Sequence, residues 1–173
     1  MMKDGNSNIY LIGFMGTGKS TIAYSLNEMI DKEVIEMDDL IVEEQNMPIT
    51  DIFKKRGEEY FRDLETDLLK RVQTEGNKIV SCGGGVVINP QNVDIMKQSG
   101  IIVCLTANPE TIFHRVKNST KRPILNNNMS VKFIKELMEK RREKYLEAAD
   151  IVIATDNKTI NQIRSEIIRK CRI

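Results

Sequence analysis

"IYLIGFMGTGKST", residues 9–21, is the stretch on which the fold turns. Four β-favouring apolar residues stop at a glycine. The next eight, Gly13-Phe14-Met15-Gly16-Thr17-Gly18-Lys19-Ser20, satisfy G-x-x-x-x-G-K-[ST]. "KSTIAYSLNEMI" then carries helical spacing. Strand, glycine loop and helix in that order make a phosphate cradle. Gly13, Gly16, Thr17 and Gly18 let backbone N–H groups wrap a polyphosphate, and the helix N-terminus adds a favourable dipole. Lys19 would reach the β- and γ-phosphates of a nucleoside triphosphate, Ser20 would help hold Mg²⁺, and Thr21 completes the phosphate-binding set. The loop does not say what receives the phosphate.

Working outward, "EVIEM" (33–37), "NKIVSC" (77–82), "GIIVCLT" (100–106) and "DIVIAT" (150–155) join "NIYLI" (8–12) as candidate strands. Two of them, at 77–82 and 100–106, are near-continuous apolar runs, the pattern of strands covered on both faces. Helical patterns run from Ile49 to Val72, over 109–117 and 130–148, and through "TINQIRSEIIRKC" at the end. Strands alternating with helices predict a parallel sheet with right-handed crossovers. "KNSTKRPILNNN" (117–128) is polar, non-periodic and broken by Pro123, so it reads as a surface loop or as a lid.

The 173 residues suit one compact domain with a proper core, and 26 Lys plus Arg against 25 acids leave no global charge for nucleic acid or an anionic membrane. Cys82, Cys104 and Cys171 are odd in number and widely spaced, and two lie in apolar runs, as small core residues of a reduced protein do. No apolar stretch approaches ~20 residues and "MMKDGNSN" has no signal-peptide core. We therefore expect a cytoplasmic protein, monomeric, with neither nucleic acid nor membrane as partner.

"SCGGGVV" (81–87) places three glycines behind an apolar run, which asks what approaches the backbone at Gly83, Gly84 and Gly85. In "VIEMDDLIVEE", Glu36 and Asp38 are two apart and would share a strand face at the carboxyl end of the sheet, where open α/β sheets bind ligands. There Glu36 would hold the metal through water and Asp38 would orient or deprotonate a hydroxyl acceptor; alternatively the acids only cap the next helix. In "GEEYFRDLETDLLK", Arg62 and Glu65 at i, i+3 form either a surface ion pair or a braced fork for a ligand carboxylate. Arg141 and Arg142 sit on a highly charged helix, and His114, the single histidine, has no evident catalytic partner.

These motifs together resemble shikimate kinase. The resemblance runs through "IYLIGFMGTGKST", "DIF..RGEEYFRDLE", "VSCGGGVV", "RPIL" and "R...YLEAAD", in order over nearly the whole chain. It implies a P-loop NTPase of the nucleoside monophosphate kinase-like fold: three layers, α/β/α, around a five-stranded parallel sheet, with a lid. The chain 1–173 would be one kinase domain with a substrate-binding helical segment at about 36–65 and the lid at about 117–128. The implied reaction moves the γ-phosphoryl of Mg·ATP to the 3-hydroxyl of shikimate, a step of aromatic amino acid biosynthesis. By the same resemblance, Asp38, Arg62, Gly83, Gly84, Gly85 and Arg141 bind shikimate, the arginines gripping its carboxylate. Glu65 braces Arg62, Arg122 of "RPIL" closes over the transferred phosphate, Arg115 packs on adenine, and "TDNK" (155–158) forms the adenine loop. Lys19, Asp38 and Arg122 would be the catalytic residues, with Ser20 and Glu36 at the metal.

Two positions depart from the family. Glu36-Met37-Asp38 replaces the usual D-x-D, lengthening the metal-side acid by a methylene, and Glu143-Lys144 replaces apolar residues before Tyr145. The spacing to Tyr145 favours Arg141 over Arg142 as the ligand arginine. Rival readings are a kinase of gluconate or a nucleoside monophosphate, and a nucleotide-binding module without catalysis. The module predicts ATP binding with no acceptor-dependent ADP release.

Overall fold

Ile9 and Leu11 of the first strand face one way and Tyr10 and Ile12 the other, and all four are buried because helices cover both faces of the sheet. The structure, a computed structural model, describes residues 7–117 and 130–173. Its strands are β1 (Asn8–Ile12), β2 (Glu33–Glu36), β3 (Lys78–Ser81), β4 (Gly100–Thr106) and β5 (Ile151–Ala154). They pair in parallel in the order β2-β3-β1-β4-β5. The helices are α1 (Lys19–Asn27), α2 (Met37–Gln45), α3 (Ile49–Glu75), α4 (Pro90–Ser99), α5 (Pro109–Val116), α6 (Val131–Ala148) and α7 (Ile160–Cys171).

One core lies between the sheet and α1 with α7, where Ile9, Leu11, Ile79, Val103 and Ile153 meet Ile22, Leu26, Ile163 and Ile167. The opposite face carries the larger core, in which Tyr10, Val80, Ile102 and Cys104 meet Ile41, Leu69, Met96, Ile112 and Ile134. The outcome is the expected three-layer α/β/α fold on a five-stranded parallel sheet. All three cysteines are free and buried in these cores. Among the described residues no helix is long and apolar enough to cross a membrane.

β1 is central and its neighbours β3 and β4 leave it in opposite directions along the sheet, so a crevice opens at its carboxyl end, where such sheets bind ligands. Three differences from the sequence reading bear on that crevice. β2 stops at Glu36, and Met37 begins α2 as a fully buried helical residue. α3 breaks at Gly57 (φ 88°, ψ 169°), in the left-handed range that glycine tolerates. α4 was not foreseen: Asn89 caps it by accepting from the Gln91 N–H (3.0 Å), and Pro90 opens it. Of the lid expected at about 117–128, only Lys117 falls within the described residues.

Candidate active site

The loop between β1 and α1 is held by its own residues. Gly13 has φ 139°, and a side chain there would strike the Leu105 carbonyl at the end of β4. Gly18 caps α1 with φ 99°. The buried Thr17 donates its hydroxyl to the Phe14 carbonyl (2.8 Å). Lys19 Nζ donates to the carbonyls of Gly13 (2.8 Å) and Phe14 (3.1 Å), which keeps its ammonium on the loop it would serve. Arg115 on α5 joins this loop to the end of β5: its guanidinium donates to Gly16 O (3.1 Å), Thr17 O (3.4 Å) and Thr155 Oγ1 (3.0 Å). Asp156, next along, accepts from Thr111 Oγ1 (2.6 Å) and from the Asn108 N–H (3.0 Å). Burial alone would raise its carboxyl, but those hydrogen bonds and Arg115 hold it below the usual range. Arg115 and "TDNK" therefore stand together beside the phosphate loop.

Ser20, in the first turn of α1, donates to Glu36 Oε2 (3.1 Å), and its hydroxyl lies 3.5 Å from that of Ser81 at the end of β3. Burial pushes the Glu36 carboxyl up, the Ser81 and Ser20 hydroxyls pull it down, and Asp39 and Asp38 push it up again. Among the described residues Glu36 Oε1 is buried with no hydrogen-bond partner. A buried carboxylate oxygen with nothing to accept from, beside a serine hydroxyl at the mouth of a phosphate loop, fits a hydrated divalent cation. Mg²⁺ takes one or two carboxylates, with water and phosphate oxygens supplying the rest. Asp38 does not share a strand face with Glu36, as two-residue spacing predicted. The strand has already ended, and Asp38 projects from the first turn of α2 toward Gly83. The two acids thereby face different neighbours, Glu36 the Ser20 hydroxyl and Asp38 the first glycine of the triplet.

The glycine triplet leaves β3 beside this acid, and its backbone is where four elements converge. A Cβ on Gly83 would lie 2.8 Å from Asp38 Oδ1 and 2.9 Å from Glu65 Oε1. A Cβ on Gly85 would lie 2.6 Å from Arg62 Nη2 and 2.7 Å from its Cζ. Gly84 has room, with Arg141 Nη1 and Tyr145 Oη both 3.8 Å from such a Cβ. None of the three has positive φ. The outer glycines are thus needed for space, and first of all for the protein's own Asp38, Glu65 and Arg62. The sequence reading had assigned that space to the ligand.

Arg62 is no loose surface pair. Its Nη1 donates to Glu65 Oε2 (2.6 Å), and Nε (3.3 Å) and Nη2 (3.0 Å) both donate to Glu58 Oε1. Glu65 is 1% exposed. Burial raises its carboxyl, Arg62 pulls it down, and Asp38 pushes it up, with burial prevailing. A guanidinium has five N–H groups. Three are engaged among the described residues, which leaves one on each terminal nitrogen for a ligand carboxylate. Arg141 is half-buried with Nη1 3.5 Å from the Gly84 carbonyl, whereas Arg142 is exposed and reaches Glu139 (3.8 Å). Of the two, Arg141 faces the glycine triplet and Arg142 does not.

Several contributors escaped the sequence reading. Glu58 completes the clamp on Arg62, and i, i+4 spacing was its available signal. The fully buried Asn92 donates to the Val86 carbonyl (3.0 Å) and accepts from Thr66 Oγ1 (2.7 Å), tying α4 and α3 to the short helical turn Val86–Ile88 after the triplet. Lys144, one of the two departures on α6, donates to Ile88 O (3.4 Å) at the end of that turn. His114 is exposed on α5, edge-on to Phe113 and outside the site. Arg122 lies outside the described residues.

The family model for shikimate kinase matches residues 15–172. Curated relatives described as shikimate kinase include one from Dehalococcoides mccartyi, 42% identical over 166 residues (96% of this chain, 93% of the relative). Another, from Persephonella marina, is 42% identical over 165 residues (95% and 99%). Among solved structures, shikimate kinase from Acinetobacter baumannii in complex with shikimate superposes with TM-score 0.88 at 30% identity (95% of this chain, 92% of that one). A gluconokinase from Sinorhizobium meliloti, 14% identical with TM-score 0.60 (98% and 94%), shares the fold alone.

Proposed function

The chain belongs to the shikimate kinase family, and we propose that it transfers the γ-phosphoryl of ATP to the 3-hydroxyl of shikimate through the residues assembled around its glycine triplet. The observation that carries this reading is Arg62. A half-buried guanidinium clamped by Glu58 and Glu65 keeps one free N–H on each terminal nitrogen beside Gly85, with Asp38 and Arg141 facing the same backbone. That array accepts a small acid bearing hydroxyls.

Phosphoryl transfer asks the protein for alignment and charge stabilisation more than covalent chemistry. Arg62 and Arg141 hold the acceptor's carboxylate, which fixes the ring against the triplet. Asp38 aligns the acceptor hydroxyl and takes its proton as the phosphoryl leaves ATP. Lys19 and the N–H groups of the loop bind the phosphates, and Arg115 with the 155–158 loop borders the base. Arg122, by its place in the motif, brings positive charge to the transferred group. Ser20 and Glu36 would hold Mg²⁺, which when bound neutralises charge on the β- and γ-phosphates.

The test is ADP release from Mg·ATP with shikimate, gluconate, AMP or CMP added singly, and Asp38→Asn as control. Release with shikimate alone, lost in the variant, is the expected result. Release with another acceptor overturns the assignment at the triplet, and none with any acceptor overturns catalysis.

A further inference from the structure

Tyr145 is buried, its ring packed in the larger core, and it lies four residues after Arg141 on α6, so both side chains issue from one helix face. Both also meet one atom. The Tyr145 hydroxyl makes a short hydrogen bond to the Gly84 carbonyl, and Arg141 Nη1 approaches the same oxygen at 3.5 Å, the outer limit for such a bond. The phenol has the close position and the guanidinium the distant one.

We propose that Tyr145 is a positioning residue for the acceptor's carboxylate: by occupying the Gly84 carbonyl it keeps Arg141 from collapsing onto the triplet. This inference rests on the function proposed above. A half-buried carbonyl that loses its donor is costly, and Arg141 is a strong donor already within reach of it. Were the phenol absent, Arg141 would turn onto Gly84 O and spend on the protein the N–H groups it owes the ligand. The hydroxyl also fixes the middle glycine, the one member of the triplet whose Cβ position is open. Burial pushes the phenol's pKa up to about 12 against the pull of Arg141, so the hydroxyl remains a donor over the working pH range.

The experiment is Tyr145→Phe, which keeps the ring and removes only the donor, assayed with shikimate and with its methyl ester, alone and on an Arg141→Met background. Expected for the single variant are a KM for shikimate raised about tenfold, a KM for ATP within about twofold of wild type, and an unchanged melting temperature. The preference for acid over ester should shrink, because the charge that reads the carboxylate has been diverted. On the Arg141→Met background, Tyr145→Phe should add nothing to the shikimate KM. The inference is overturned if the single variant leaves that KM unchanged. It is equally overturned if both substrates' KM values rise together with a drop in melting temperature, or if the two substitutions multiply. A wild-type chain inactive with shikimate would overturn the proposed function, and this inference with it; activity with an indifferent Tyr145→Phe overturns this inference alone.

Discussion

Gly85→Ala separates a triplet that holds the fold from one that holds Arg62. At φ −97° and ψ 0° the position is open to alanine, so the backbone resists nothing. The added Cβ would lie 2.6 Å from Arg62 Nη2 and 2.7 Å from Cζ. Carbon and nitrogen sit at about 3.5 Å when in contact, so the guanidinium must retreat by about 1 Å. It cannot do so freely, because Nη1 is bonded to the buried Glu65 at 2.6 Å and Nε and Nη2 to Glu58. The two N–H groups left for a ligand carboxylate move with it. A displacement of about 1 Å in a positioning group costs on the order of 10²-fold, and we expect kcat/KM for shikimate to fall by that factor. The KM for ATP should stay within about twofold, since the hydrogen bonds of Arg62 among the described residues run to Glu58 and Glu65 and not to the phosphate loop, and the melting temperature should fall by less than about 4 °C. Steady-state kinetics with each substrate varied, beside a thermal melt, reads all three. Gly84→Ala is the companion, since its Cβ meets Arg141 and Tyr145 only at 3.8 Å. A loss of shikimate affinity there reports the ligand itself lying on the middle glycine. An unchanged kcat/KM in Gly85→Ala would refute the assignment of Arg62 to the acceptor carboxylate, and parallel loss of ATP binding and stability would make the triplet structural.

Glu36→Asp, one methylene shorter, should lose the Ser20 contact at 3.1 Å and change the Mg²⁺ concentration giving half-maximal activity, with kcat at saturating Mg²⁺ within a few-fold; Mg²⁺ titration of the rate checks it. Glu65→Gln removes both the brace on Arg62 and a carboxyl raised by burial. Such a carboxyl stabilises the fold fully below its unfolded pKa, and that contribution is lost as pH rises through the higher folded value. Wild type should therefore lose stability relative to Glu65→Gln as pH rises from about 4.5, while the variant's KM for shikimate is the larger; denaturation across pH and kinetics at neutral pH test the two halves. Asn92→Ala leaves the Val86 carbonyl without its buried donor, while the Thr66 hydroxyl keeps the Arg62 carbonyl at 3.0 Å, and should cost roughly 1–3 kcal/mol in urea denaturation, with a smaller effect on kcat.

The phosphate-loop half of the candidate site was legible because it is contiguous: one run of residues, 8–27, contains the strand, the loop and the helix that together make it. β3 and β4 were legible for a related reason, since strands buried on both faces leave unbroken apolar runs. α4 was missed because polar Asn92 is part of its buried face, which interrupts the helical period with a residue that reads as loop. α3 read as one helix because its apolar stripe continues across the break at Gly57.

The acceptor half is built the opposite way, and its geometry could not be read from any single window. Asp38 comes from α2, Arg62 and Glu65 from α3, the glycines from the exit of β3, and Arg141 and Tyr145 from α6. The triplet announced that something approaches the backbone, since three glycines are costly unless proximity needs them. What approaches at Gly83 and Gly85 is in the first place the protein's own charged side chains, from positions 18 to 45 residues earlier in the sequence. Spacing also misdirected the acids. Met37 is apolar enough to extend β2, yet its side chain is better buried as the first residue of α2, and that one-residue change of element sends Asp38 to the triplet while Glu36 stays with Ser20. For the function proposed above the change is useful: an acid for the metal and an acid for the acceptor would each need a partner of its own, and the end of the strand at Glu36 gives them different ones.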